Sequence, residues 1–217
     1  MADSGSRAGQ VHVDAGILEY VDRLHATHDE SLTLAFDSPE QRGIPAIQVS
    51  KQEGALLELL VRLSGATRIV EVGTLAAYST IRLARAMESG GKVWTIEFDK
   101  THAEIAEENL RKASLGDSAE VIVGSGREIL PTLEGAGPFD LVFIDADKES
   151  YDFYGRWAAA NIRKGGLLVG DNAFLFGNLL DSSEEASAMR RFHEESRENF
   201  ETLCLPTPDG VLIGIRR

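Results

Sequence analysis

Cysteine is nearly absent: Cys204 is the only one in 217 residues. No internal disulfide can form, so the fold must rest on its core, and a reducing compartment is expected. Cys204 itself reads as a small buried residue in a late strand. Long apolar runs are missing too, and none approaches the roughly 20 residues a membrane helix needs. The opening Met1 to Gln10 is rich in Ser, Gly and Ala and holds no apolar segment of the secretory kind. Residues 1–12 read as a disordered tail. These absences set the expectation of a cytoplasmic chain with no membrane partner. Positive charge is scarce, with 22 Lys and Arg against 35 Asp and Glu and a net charge of −13. That balance repels a phosphate backbone and disfavours nucleic acid as the main partner. The histidines, His12, His25, His28, His102 and His193, lack metal-ligand spacing with acids or cysteine. They read as surface residues, with His25 or His28 able to reach a site if the first helix caps it.

What is present suits one domain of ordinary size. Hydrophobic residues make up 43%, enough for a core, and neither repeats nor linkers divide the chain. Residues 13–217 read as a single domain whose first part, 13–65, supplies cap helices. Apolar residues at Ile17, Leu18, Val21 and Leu24 have helical spacing over Ala15 to Glu30, extendable through Phe36. Asp37-Ser38-Pro39 and Gly43-Ile44-Pro45 should break that element. Ser50-Lys51-Gln52-Glu53 is a capping-box pattern that opens the next helix, and Gly65 closes it.

From Arg68 onward, strand and helix patterns alternate. Strands are expected at Ile69–Val72, Lys92–Glu97, Ala119–Val123, Phe139–Ile144 and Gly166–Val169. Helices are expected at Ser79–Glu88, Thr101–Ala113, Arg127–Leu133 and Ser150–Asn161. Short alternating elements of this kind mean βαβ units and a parallel sheet. A charged helix, Glu184–Glu198, then precedes two β-like runs, Phe200–Leu205 and Val211–Ile215, joined by Pro206-Thr207-Pro208-Asp209-Gly210. That ending reads as an antiparallel hairpin at the sheet edge.

The chemistry concentrates where strands end. Leu141 to Ile144 runs straight into Asp145-Ala146-Asp147-Lys148, and Leu167-Leu168-Val169-Gly170 runs into Asp171-Asn172. In open α/β sheets, ligands sit outside the carboxyl ends of the strands. If these two strands are neighbours, Asp145, Asp171 and Asn172 converge, and three oxygen donors carrying two charges suit a hard divalent cation. Mg²⁺ is the first choice, with Mn²⁺ or Ca²⁺ as alternatives.

The loop Glu71-Val72-Gly73-Thr74-Leu75-Ala76-Ala77-Tyr78-Ser79 follows the first strand with one glycine, not the three of a dinucleotide fingerprint. A carboxylate at Glu71 would repel pyrophosphate and attract an ammonium, which suits a cofactor with an amino-acid tail and no phosphate. Glu97 ends the second strand, where an acid can take two ribose hydroxyls. Gly124-Ser125-Gly126 ends the third, where backbone can approach an adenine. Tyr151, Phe153, Tyr154 and Trp157 read as core. Phe174-Leu175-Phe176 reads as a substrate wall, as core or as a dimer contact.

These blocks resemble the cation-dependent class I O-methyltransferases, the group that includes caffeoyl-CoA, catechol and small bacterial members. The resemblance runs from about Gln48 to the C-terminus. Its most specific parts are Glu71-Val72-Gly73-Thr74 with Tyr78-Ser79, Phe143 to Lys148, and Gly170-Asp171-Asn172. Leu205-Pro206 with Asp209-Gly210 fits the family's closing hairpin. The resemblance implies an α/β fold: a Rossmann-like, seven-stranded, mostly parallel sheet with an antiparallel C-terminal hairpin and helices on both faces. It implies S-adenosylmethionine held by Glu71, Gly73 and Ser79, with Val49, Thr74, Gly126 and Asp145 beside it and Glu97 on the ribose. Asp145, Asp171 and Asn172 would hold the metal, Lys148 would be the general base, and the protein would be a homodimer.

The expected reaction is methyl transfer to a hydroxyl of a small catechol-like aromatic, with Asp145 and Lys148 as catalytic residues. Ala76-Ala77 stands where the family usually has Thr-Gly, and Gly124-Ser125-Gly126 where it has Gly-x-Ala. No N-terminal lysine segment for a CoA ester is recognisable. Other readings are methylation of a tRNA hydroxyuridine, a nicotinamide-dependent oxidoreductase, and a module that only retains cofactor.

Overall fold

The computed structural model describes residues 4–7, 9 and 11–217. Seven strands form one sheet in the order β3-β2-β1-β4-β5-β7-β6. They are β1 (Arg68–Val72), β2 (Lys92–Glu97), β3 (Ala119–Val123), β4 (Phe139–Ile144), β5 (Ile162–Gly170), β6 (Phe200–Leu205) and β7 (Val211–Arg216). The first five run parallel, and β7 pairs antiparallel with both β5 and β6. The helices are α1 (Ser4–Arg7), α2 (Ala15–His25), α3 (Glu30–Arg42), α4 (Lys51–Ser64), α5 (Tyr78–Ala86), α6 (Lys100–Lys112), α7 (Gly126–Ile129), α8 (Tyr151–Asn161) and α9 (Glu184–Asn199). Of the stretch read as a tail, Ser4–Arg7 makes one helical turn, while residues 1–3, 8 and 10 lie outside the described residues. Among the described residues, no helix is long and apolar enough to cross a membrane.

Period-two alternation along the strands makes two cores. Ile69, Leu141, Phe143, Leu167 and Val169 face α4, α5 and α6, through Leu57, Val61, Ile81 and Leu110. Val70, Val72, Val142, Ile144 and Leu168 face α8 and α9, through Tyr151, Tyr154, Trp157, Met189 and Phe192. Helices therefore cover both faces of the sheet. The aromatic residues read as core at Tyr151, Tyr154 and Trp157 are buried. α9 turns Ala186, Met189 and Phe192 inward, so its charged residues form only the outer face.

The N-terminal segment differs from its sequence reading. The helical pattern is two helices, because Asp29 starts a new one by accepting from the Leu32 N–H at 2.9 Å. Pro39 lies inside α3 and does not break it. The Ala35 carbonyl, which Pro39 cannot bond, accepts instead from the Ser38 hydroxyl at 3.2 Å. Gly43 then ends the helix in the left-handed region. The Ser50–Glu53 capping box and the Gly65 C-cap form as the sequence implies.

Two later elements also shift. β5 begins at Ile162, which pairs with Phe139 across an irregularity in β4. The helix expected over Arg127–Leu133 is one α turn followed by a 3-10 turn, Leu130–Ala136. Pro131 has no N–H to continue the α ladder there. Cys204 is half-buried on the edge strand β6.

Candidate active site

β1 lies between β2 and β4, so the chain winds outward in two directions from the β1/β4 pair, and a crevice opens at their carboxyl ends. Register brings the strand ends level. Each is tied to its neighbour by one more backbone bond: Gly73 N–H to Ile96 O at 2.9 Å, Asp145 N–H to Val72 O at 2.8 Å, and Asp171 N–H to Ile144 O at 2.9 Å. The residues at those ends surround a cavity of about 800 Å³.

The loop from Gly73 to Ala77 forms one wall. Gly73 has φ +99, and a Cβ there would stand 1.9 Å from the Asp145 carbonyl oxygen, so only glycine fits. Leu75 and Ala77 are also left-handed, at φ 51 and 64, each costing roughly 1–2 kcal/mol for an L-residue. Ala77 thus carries strain where the family pattern has glycine. Glu97 holds the loop in place: its Oε2 accepts from the Thr74 and Leu75 N–H groups at 3.1 and 2.8 Å, and its Oε1 from the Asp99 N–H at 3.0 Å. A buried Asn109 donates to the Ala76 carbonyl at 3.0 Å and to Ser38 of α3 at 2.9 Å, tying the loop to the cap helices.

Val49, Gly73, Thr74, Ser79, Glu97 and Gly126 all line the cavity, as do Asp145, Lys148 and Asn172. Gly126 lies so close to Tyr154 that a Cβ would meet its ring at 2.7 Å. Two expected residues stand apart from the lining. Glu71 is fully buried and does not line the cavity. Thr80 donates to its Oε2 at 2.5 Å, and its Oε1 makes no hydrogen bond. Burial pushes the Glu71 carboxyl up to about 7 against the pull of nearby hydroxyls. Asp171 is likewise buried, with Oδ1 unpartnered.

Asp145 and Asp171 influence each other. Burial raises both carboxyls, and the charge of Asp145 helps push Asp171 up to about 8. Glu53 adds to both, Asp209 adds to Asp145, and Lys148 opposes. Lys148 Nζ donates to Asp145 Oδ1 at 3.2 Å and to the Tyr151 hydroxyl at 2.9 Å. That hydroxyl in turn donates to the Asp171 carbonyl at 2.9 Å. One ammonium therefore serves a cluster of acids that still lacks donors. Among the described residues, no three His, Cys, Asp or Glu side chains group as metal ligands. A cation here would need the Asn172 amide as its third protein donor. The unpartnered Asp171 oxygen, the mutual repulsion of the two acids and the oxygen-only donor set fit a hard divalent ion. Asn172 sits at φ 51 in the left-handed region.

Several positions at or near the cavity carry no assignment from sequence. Tyr78 and Phe98 line the cavity, and Phe98 is 80% exposed at its mouth. Its one sequence signal is an aromatic residue directly after a strand-end acid. His28 is half-buried. Its Nε2 pairs with the Tyr78 hydroxyl at 2.8 Å, and its ring stands within 5.2 Å of Phe36 and Tyr78. Burial first, then the Arg82 and Lys51 charges, lower its pKa to about 4. Arg82, one turn further along α5, gives Nη2 to the Tyr78 hydroxyl and to the Thr27 carbonyl, each at 3.4 Å, so the segment before α3 grips the start of α5. His193 pairs with the Ala173 carbonyl at 2.8 Å. Of the three apolar residues after Ala173, only Phe176 lines the cavity. Leu175 is core, and Phe174 packs against Gly210.

A family model described as O-methyltransferase matches residues 26–217. A catechol O-methyltransferase of Niastella koreensis is 42% identical over 179 residues, covering 80% of this chain and 81% of its own. A catechol O-methyltransferase of Mycobacterium tuberculosis is 42% identical over 170 residues, covering 78% of this chain and 77% of its own. The crystal structure of an O-methyltransferase from Bacillus cereus in complex with SAH superimposes with a TM-score of 0.89 at 34% identity, covering 93% of this chain and 97% of that one.

Proposed function

The chain belongs to the O-methyltransferase family, and on that premise we propose that it moves the methyl group of S-adenosylmethionine to one hydroxyl of a small catechol-like acceptor, with a divalent cation bound at the strand ends. One observation carries the finer part of this reading: a half-buried acid and a buried one end adjacent strands, the buried one has an unpartnered oxygen, and the ammonium beside them hydrogen-bonds only the first. S-adenosylmethionine supplies an electrophilic methyl on sulfur. Asp145, Asp171 and the Asn172 amide would hold the cation, which supplies a Lewis acid that lowers the pKa of a coordinated hydroxyl.

The remaining steps belong to this chain's residues. Gly73, Thr74, Ser79 and Val49 bind the amino-acid end of the donor, and Asp145 lies where it can also receive the donor's ammonium. Glu97, whose carboxylate already accepts three backbone N–H groups, fixes the loop and presents its remaining acceptor capacity to a ribose diol. Gly126 lets the chain approach the base. Glu71 acts from behind this wall, bracing α5 through Thr80. Lys148, steadied by Asp145 and Tyr151 beside the acceptor, is the group assigned to take the acceptor's proton as a neutral amine, after giving its own proton to water. The cavity orients donor and acceptor, which supplies much of the rate in such transfers.

The nicotinamide alternative falls with family membership. A tRNA acceptor is disfavoured by the net charge of −13. We further propose a homodimer: α2 leaves Ile17, Leu18, Tyr20 and Leu24 exposed, an apolar face that a second copy would cover and that sedimentation velocity would test. The decisive experiment is turnover of a catechol panel, with and without chelator. The expected result is monomethylated product, abolished by chelation and restored by Mg²⁺, Mn²⁺ or Ca²⁺. Full activity in chelator would remove the cation. Methylation of monophenols as fast as catechols would remove the acceptor class.

A further inference from the structure

The segment after Asn172 is held in an unusual way. Asn172, Leu175 and Phe176 have φ of 51, 51 and 52, three left-handed L-residues within five positions. Such conformations persist only where the surroundings enforce them. Phe176 returns no burial for this strain, since it is 67% exposed and its ring stands at the cavity that Asn172 also lines. The constraint comes from the turn between β6 and β7. Asp209 Oδ1 accepts from the Phe176 N–H at 2.6 Å, and the Asp209 carbonyl accepts from the Phe174 N–H at 2.8 Å. The Gly210 carbonyl accepts from the Ala173 N–H at 2.9 Å. Gly210 has φ +78, and a Cβ there would stand 2.7 Å from the Phe174 ring, so the turn sits directly on the segment. Asp209 Oδ2 is buried without a partner.

We propose that Asp209 is a positioning residue that decides which of two vicinal hydroxyls is methylated, by clamping the Phe176 ring across the mouth of the acceptor site. The inference rests on the catechol reading above. An acceptor with one oxygen at the acid cluster must direct its ring substituent toward the mouth. A fixed aromatic wall there admits one of the two ring orientations better than the other. A ring free to swing would admit both. Asp209 holds the wall through the backbone of residues 174 and 176; its charge also bears on Asp145, and Asp209→Asn separates that influence from the clamp.

The test uses 3,4-dihydroxybenzoate and measures the ratio of its two monomethyl products by chromatography. The same proteins, without substrate, are followed by amide hydrogen exchange over residues 173–178. Asp209→Ala should move the product ratio toward unity by about fivefold or more and speed exchange at residue 176 by about tenfold, the scale of losing one charge-assisted hydrogen bond. The acceptor KM should rise several-fold, with the Kd for S-adenosylmethionine within about twofold. Asp209→Asn keeps an oxygen that accepts the same N–H, so it should retain the wild-type ratio and slow exchange. Phe176→Ala removes an exposed ring that the fold does not need, and should reproduce the altered ratio. An unchanged ratio in Phe176→Ala, or Asp209→Asn behaving as Asp209→Ala, overturns the proposal; the second result would mean that the charge acts directly on Asp145. If the wild type makes neither product, the acceptor reading has failed, and the clamp is then judged by exchange alone. Unchanged exchange in Asp209→Ala would overturn it.

Discussion

At the N-terminal ends of β1 and β4, Asp140 accepts from the Thr67 and Arg68 N–H groups, each at 2.9 Å, and from Arg163 Nε at 2.5 Å. Burial alone would raise its carboxyl, but Arg163 and these N–H groups hold it below the usual range. At the carboxyl ends of β1, β4 and β5, Glu71, Asp145 and Asp171 are all raised, and Asp171 and Glu71 each keep an oxygen without a partner. The acids are chemically alike and burial acts on both sets. What differs is the supply of donors. Buried acids given their full set of donors tie a fold together, whereas those left short store electrostatic cost that a bound cation or ammonium relieves. The contrast sets apart the end of the sheet at which we propose the site.

The strongest challenge to this contrast is Gly73→Ala, which drives a methyl into the Asp145 carbonyl at a left-handed φ. We expect about 4 kcal/mol or more of lost stability and no measurable donor binding. A melting temperature within about 2 °C of wild type would show that the two strand ends are not locked together.

Next is the acid pair itself. Asp145→Ala and Asp171→Ala should each lower kcat/KM by about 10³-fold or more. Asp171 also predicts a pH effect. Its folded pKa of about 8 lies above the ordinary value of 3.8, so between those values the folded state holds more protons than the unfolded state. Stability without divalent ions should therefore fall as pH rises through that window. Asp171→Asn should make that decline shallower, leaving the part that Glu71 and Asp145 contribute, and saturating Mg²⁺ should make it shallower too. Melting curves at several pH values, with and without Mg²⁺, would check this, and a rise across the window would contradict it.

At the other end, Asp140→Ala should cost about 2–3 kcal/mol, because two part-buried N–H groups and Arg163 lose their acceptor. Its kcat/KM should stay within about twofold of wild type. A large kinetic defect in this variant would collapse the distinction between the two ends.

The smallest effect concerns His28, whose folded pKa of about 4 lies below the ordinary 6.5. The unfolded chain takes its proton first as pH drops. The stability His28 confers is full above pH 6.5 and is lost as pH falls toward 4. After allowance for solvent screening it amounts to about 1 kcal/mol. His28→Phe should flatten that part of the pH profile in chemical denaturation.

Local sequence already carried much of the architecture. Alternating apolar runs named all seven strands, and polar residues at their ends marked Asp145, Asp171 and Asn172. The capping box at Ser50 and the glycine at 65 appeared where the pattern placed them. Pro39 misled, because a neighbouring hydroxyl took over the bond that proline forfeits. His28 and His193 misled for another reason: their partners, Tyr78 and the Ala173 carbonyl, are 50 and 20 residues away. Phe174-Leu175-Phe176 looked uniform, yet one residue faces the cavity, one the core and one the hairpin turn.

By itself, then, the sequence determined which segments are strands and helices and which chemical groups end each strand. These are short-range matters of periodicity, capping and side-chain type. Only the tertiary structure decided how many donors each acid would receive. Donor supply depends on register between strands and on turns far away in the chain, such as Asp209 beside Phe176. Two carboxylates of the same kind, Asp140 and Asp171, took opposite roles because β1 and Arg163 meet the first and little but another acid meets the second.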